Sequence, residues 1–100
     1  MATFVTGDTS PALSGTCTSD GAPANLAGAS VEIHIRWNDN STVTKTAAVT
    51  DAANGVWSYV WQAGDLSIPG RAKVEAQVTF SNGKIQTFGP VSFAVLEQIA

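Results

Sequence analysis

The sequence predicts an all-β domain, a sandwich of about seven antiparallel strands. Three observations lead there. Apolar and polar side chains alternate with period two in several segments, which marks strands with one buried face. Asn82-Gly83 stands between two such segments, a strong hairpin signal because the tight two-residue turn asks for positive φ at both central positions. Turn-forming residues recur every ~8–12 residues, the spacing of short strands in a sandwich. No segment sustains a 3.6-residue period, and no repeat or low-complexity tract interrupts the chain.

The elements follow in order. Thr3 to Thr6 and Ala12 to Thr18 read as short strands, separated by Gly7-Asp8-Thr9-Ser10-Pro11. Asp20-Gly21-Ala22-Pro23-Ala24-Asn25 reads as a turn region. Val31, Ile33, Ile35 and Trp37 alternate with Glu32, His34, Arg36 and Asn38, a half-buried strand. Thr42 to Thr50, rich in Thr and Val, reads as the antiparallel neighbour of the next strand, in which Trp57, Tyr59 and Trp61 alternate with Ser58 and Val60. Asp51-Ala52-Ala53-Asn54-Gly55 is the turn between them. Ala63 to Gly70 is a longer connection with room for one helical turn. Val74, Ala76, Val78 and Phe80 alternate with Lys73, Glu75, Gln77 and Thr79. The strand after the hairpin runs from Ile85 to about Leu96, with Val91, Phe93 and Val95 resuming the alternation after Gly89-Pro90. Proline cannot donate to a ladder, so a bulge or an edge crossing is expected there. The whole has the strand count and turn spacing of a sandwich or small barrel.

Length and composition set bounds. At 100 residues the chain reads as one domain, residues 1–100, with a single core. Apolar residues make up 44% and charged residues 13%, about half the usual charged share of ~25%. Such a chain is not disordered. Its surface carries Thr, Ser, Asn and Ala in place of charge, and that surface is easily desolvated against neighbours. Net charge is −3, and the basic residues Arg36, Lys45, Arg71, Lys73 and Lys84 form no stripe along the sequence, so no nucleic-acid partner is expected. No apolar run reaches the ~18 residues of a membrane helix, so no membrane partner is expected. Met1 to Asp8 lack the basic and apolar regions of a secretory signal. Cys17 is the only cysteine, so no internal disulfide forms, which suits a protein made in a reducing cytosol.

Candidate sites are weighed against plainer roles. His34 is the only histidine and falls on the polar parity of its strand beside Glu32 and Arg36; it reads as a surface residue, since a catalytic base needs a placed nucleophile and an orienting partner. Asp8, Glu32, Asp39, Asp20, Asp51, Asp65, Glu75 and Glu97 are dispersed, whereas calcium loops concentrate carboxylates. Cys17 has no partner ligands in sequence and reads as a small buried residue. No phosphate-binding glycine loop is present. Catalytic residues, metal ligands and cofactors are therefore expected to be none.

The order of segments supplies a resemblance. It runs from Asp8-Thr9-Ser10-Pro11-Ala12-Leu13-Ser14-Gly15, through Asp20-Gly21-Ala22-Pro23-Ala24-Asn25-Leu26-Ala27-Gly28-Ala29, to Val31-Glu32-Ile33-His34-Ile35-Arg36. It continues with Val49-Thr50-Asp51-Ala52-Ala53-Asn54-Gly55 and Tyr59-Val60-Trp61-Gln62-Ala63-Gly64-Asp65-Leu66. It closes with Glu75-Ala76-Gln77-Val78-Thr79-Phe80-Ser81-Asn82-Gly83 and Gln86-Thr87-Phe88. This order resembles the immunoglobulin-like N-terminal domain of phage baseplate upper proteins and related tailed-phage virion proteins. The resemblance implies a non-enzymatic structural protein of the virion, made in the host cytoplasm, that docks on the particle as a tail or baseplate component or as a capsid or neck decoration. It implies other virion proteins as partners and a homo-oligomer or multiple copies related by particle symmetry. In that family the domain opens a longer chain; this one ends at Ala100, so a receptor-binding role is not carried over.

The core is read as Val31, Ile33, Ile35, Trp57, Tyr59, Trp61, Val74, Val78, Phe80 and Phe93. With Trp57, Tyr59 and Trp61 turned in, Val56 and Val60 turn out. They are read as the centre of a low-charge interface, to which Val43 or Val49 of the neighbouring strand would add. Free sheet edges offer a second docking mode, by strand addition. The alternative is a bacterial cell-surface or carbohydrate-binding sandwich, which would bind glycans; a small hydrolase would need a clustered acid–base pair.

Overall fold

A computed structural model describes residues 2–19 and 21–99. Met1, Asp20 and Ala100 lie outside the described residues, so the turn expected to start at Asp20 is described from Gly21 onward. The strands are β1 (Ala2–Val5), β2 (Leu13–Thr16), β3 (Thr18–Ser19), β4 (Ala22–Pro23), β5 (Ser30–Arg36), β6 (Thr42–Asp51), β7 (Val56–Tyr59), β8 (Gly70–Thr79) and β9 (Ile85–Leu96). Among the described residues there is no helix, and the fold is all-β.

Seven strands form one sheet in the order β1-β9-β8-β5-β6-β7-β2; β3 and β4 pair separately. The pair of stacked sheets expected from the sequence appears as this one curled sheet. The bend lies in β6: Thr42 to Ala47 pair with β5, whereas Ala48, Val49 and Asp51 pair with β7 across a register shift. One long strand thus serves both halves, and an irregularity of this kind sharpens local twist.

The expectation of antiparallel pairing needs one correction. β1 runs parallel to β9, from Ala2↔Phe93 to Val5↔Leu96. These partners sit at opposite ends of the chain, and a pattern read along neighbouring residues carries no information about that pairing. Other adjustments are local. The segment from Gly21 is not all turn, because Ala22–Pro23 pairs with Thr18–Ser19. Ala63 to Gly70 holds turns and bends but no helical turn. Trp61 lies beyond the end of β7.

The β8–β9 hairpin forms where Asn82-Gly83 placed it, with a different turn. Phe80 N donates to Lys84 O at 2.8 Å and Gly83 N to Phe80 O at 2.9 Å. That closes a three-residue loop in which Gly83 alone takes positive φ, 85°, followed by a bulge-type exit. Asn82 instead accepts from Lys84 N through Oδ1 at 3.0 Å. Gly89-Pro90 does interrupt the ladder: Val74 pairs with Val91 and Ala76 with Phe88, so Glu75 faces two residues. Pro90 lies in the part of β9 that β1 does not reach, where a missing N–H costs no ladder bond.

The interior is aromatic at its centre. Trp61, 2% exposed, has Phe4, Tyr59, Phe93 and Trp37 around it at ring distances of 5.3, 5.5, 6.0 and 6.2 Å. Val31, Ile33, Ile35, Trp57, Tyr59, Val74, Val78 and Phe93 are buried with it. Phe80, at the last rung before the hairpin, packs on that core only partly buried.

Candidate docking surfaces

β7 displays its two faces by strict alternation. Trp57 and Tyr59 are buried, whereas Val56 and Ser58 are half-buried on the opposite side. Val60, one residue past the strand, is 59% exposed. Across β7, Ser58 pairs with Ala48 on one side and Ser14 on the other; directly opposed side chains share a face. The cross-strand neighbours of Ser58 are therefore uncharged, and Asp51, paired with Val56, marks the charged end. The expectation that Val43 or Val49 adds to this patch is corrected: Val49 opposes buried Trp57 and Val43 opposes buried Ile35, so both sit on the inner face.

Two features hold this surface in place. Gly15 opposes Trp57, and a Cβ there would lie 2.5 Å from the indole ring; only glycine leaves room for the ring under β2. After β7, Tyr59 donates its hydroxyl to Asp65 Oδ2 at 2.6 Å, Gln62 N donates to the same oxygen at 2.8 Å, and Lys45 Nζ stands 3.4 Å from Oδ1. Burial opposes the Asp65 charge, but the bonds from Tyr59 and Gln62 and the Lys45 ammonium outweigh it and hold the carboxyl below its ordinary value. The Tyr59 phenol, through burial and the bond to Asp65, is pushed up to about 12. The backbone carrying Val60 is thus tied at both ends.

A second surface was not singled out in the sequence. Among the described residues β1 pairs with Phe93 to Leu96, and no other strand pairs with Ile85 to Ser92 of β9 on that side. Opposite, β2 has only β7 as neighbour. Between these edges lies a cleft of ≈ 110 Å³ lined by Gly15, Trp57, Phe88, Val91 and Phe93, among others. Val91 opposes buried Val74 yet is 63% exposed. Its parity points inward, but the sheet does not close over it. Ile85 and Leu96 are also exposed, at 62% and 54%. The sequence signal was present in Val91 and Ile85 as apolar residues and in the edge crossing offered at Gly89-Pro90; what was missing was which strands stand on either side of the cleft.

The polar candidates separate cleanly. His34 stands on the outer face of β5 with Nε2 3.2 Å from Glu32 and Nδ1 3.2 Å from Glu75. The hydrogen bond to Glu32, then that to Glu75, raises its pKa against slight desolvation. Among the described residues no group of three or more His, Cys, Asp or Glu is placed to hold a metal ion. Asp39 caps its own turn through Ser41 and Asp51 accepts from Asn54 at 2.8 Å. Cys17 is fully buried, and burial pushes its thiol up, away from the reactive thiolate. Among the described residues no helix is long and apolar enough to cross a membrane.

The family model of the BppU N-terminal domain, the N-terminal domain of the phage baseplate upper protein, matches residues 1–99. No curated protein matches the chain.

Proposed function

The chain belongs to the BppU N-terminal domain family of phage baseplate proteins, and from that membership we propose that residues 1–100 form one non-enzymatic docking domain of the baseplate. It is a virion protein, made in the host cytoplasm and assembled with other virion proteins. In this reading it works by contact alone, without cofactor or metal, and is present in many copies set by particle symmetry.

The observation that carries the docking role is Val60, a large apolar side chain held 59% exposed on a backbone fixed by the Asp65 bonds, two residues beyond Ser58 and its partners Ala48 and Ser14. Desolvation around Ser58 costs little, because its cross-strand neighbours carry no charge; Asp51 lies at the Val56 end. Val56 and Val60 are the proposed contact residues. In Val60→Glu the inner face is untouched, so the circular-dichroism spectrum and melting temperature should stay within error of the parent. A buried, unpaired carboxylate at the interface should lower the number of copies in purified virions roughly tenfold or more. Full incorporation of the Val60→Glu chain would remove this patch from the interface.

A further inference from the structure

The outer face of β5 and β8 gathers cations that the fold does not neutralise. Arg36 on β5 stands directly opposite Lys73 on β8, and Arg71 is two residues from Lys73 on the same face of the strand. Three of the five basic residues of a chain of net charge −3 thus share one corner. All three are exposed. Among the described residues the ion pairs are His34 with Glu32, His34 with Glu75, and Lys45 with Asp65, so none of the three has a carboxylate partner. The two glutamates of this face are both turned to His34. Like charges directly opposed across a ladder destabilise a sheet, and among the described residues no ion pair offsets Arg36 against Lys73. A groove of ≈ 230 Å³ runs over this face, with His34, Arg36, Thr42, Lys73, Glu75 and Pro90 on its walls.

We propose that this groove seats an acidic segment of a different virion protein, with an Asp or Glu carboxylate received between Arg36 and Lys73. The inference rests on the reading of the chain as a virion component and names a second contact beyond the Val56–Val60 face. Charge complementarity identifies the occupant. Arg36 offers a planar fork suited to a carboxylate and Lys73 a point charge beside it. A second copy of this chain offers few free carboxylates among its described residues: Glu32 and Glu75 are held by His34, Asp65 by Tyr59 and Lys45, Asp39 by Ser41 and Asp51 by Asn54, which leaves Asp8 and Glu97.

Zero-length carbodiimide coupling of purified virions, followed by peptide mass spectrometry, tests this directly. Peptides of the chain in uncoupled virions first establish its presence; their absence would overturn the virion reading itself. With the chain present, Lys73 is expected to be joined by an amide bond to an Asp or Glu of another virion protein. Lys73 joined only to a second copy, or left free, overturns the inference and leaves the virion reading standing. A second arm uses Arg36→Glu, which puts a carboxylate opposite Lys73. The melting temperature of the full chain should rise, because a repulsive cross-strand pair becomes attractive, while copies per virion fall tenfold or more. Lys84→Glu, on the hairpin loop, should leave copy number unchanged. Normal incorporation of Arg36→Glu would sink the proposal, and the raised melting temperature keeps misfolding from explaining a loss.

Discussion

His34 lies on a strand centre with a carboxylate on either side, each 3.2 Å from a ring nitrogen. Alternation along β5 places Glu32 on the same face, and register with β8 brings Glu75 directly opposite. Both acceptors favour the imidazolium, so the pKa in the fold lies above the ordinary 6.5. The sign follows from linkage. A raised folded pKa means that the contribution is fully present below the unfolded value and disappears as pH rises through the folded value. The melting temperature should therefore decline as pH rises through and above the ordinary 6.5, and His34→Gln should flatten that segment of the curve. The side chain is 32% exposed, so solvent screens the pair and the effect stays under ~1 kcal/mol. A parent protein with no slope in this window would mean that the imidazole is not held between the two glutamates. The sequence showed this histidine to be a surface residue; it did not show Glu75, which is 41 residues away and arrives only through strand pairing.

At the scale of elements, the short β2 depends on one absent side chain. Gly15 sits against the indole of Trp57, with an added Cβ only 2.5 Å from ring atoms. Trp57 is 5% exposed, so the ring has little room to retreat. Gly15→Ala should overpack this rung and destabilise the protein by ~1–3 kcal/mol, read from urea midpoints at unchanged slope. A neutral result would mean that β2 can lift from β7 at no cost. In sequence, Gly15 is indistinguishable from a flexible glycine near a turn, and only the register Gly15↔Trp57 gives it a role. The β8–β9 hairpin shows the opposite balance. Asn82-Gly83 located it correctly, yet the loop has three residues and one positive φ, because strand register, settled by burial of Val74, Ala76 and Val78, fixes which residues are left to turn.

For the whole molecule, closure is made by the first strand. β1 lies parallel to the last, and its Phe4, 4% exposed, touches Trp61 and Phe93 edge-on at 5.3 and 5.7 Å. Phe4→Ala removes a ring from the centre of the aromatic cluster and should cost ~3–5 kcal/mol. That is a large share of the ~5–15 kcal/mol of a typical domain, so a melting temperature lower by many degrees is expected in calorimetry. A loss below ~1 kcal/mol would show that β1 is not part of the cooperative unit. The same closure explains where the sheet is open. Among the described residues β1 spans Ala2–Val5 and pairs with β9 from Phe93 to Leu96, and Val91 stands beside the cleft.

What the sequence determined by itself was what period-two alternation encodes. That is an all-β chain, the inward face of β5, β7 and most of β8, the place of the hairpin, and the outward valines of the Val56–Val60 stretch. Each of these depends on residues one to a few positions apart, where side-chain parity and turn chemistry act. Only the tertiary structure decided which edges meet. The parallel β1–β9 join, the bend in β6 that makes one curled sheet, the His34 carboxylate pair and the Arg36–Lys73 opposition all bring together residues tens of positions apart. Such pairings are selected by burial of the whole apolar face at once, and no local pattern records them.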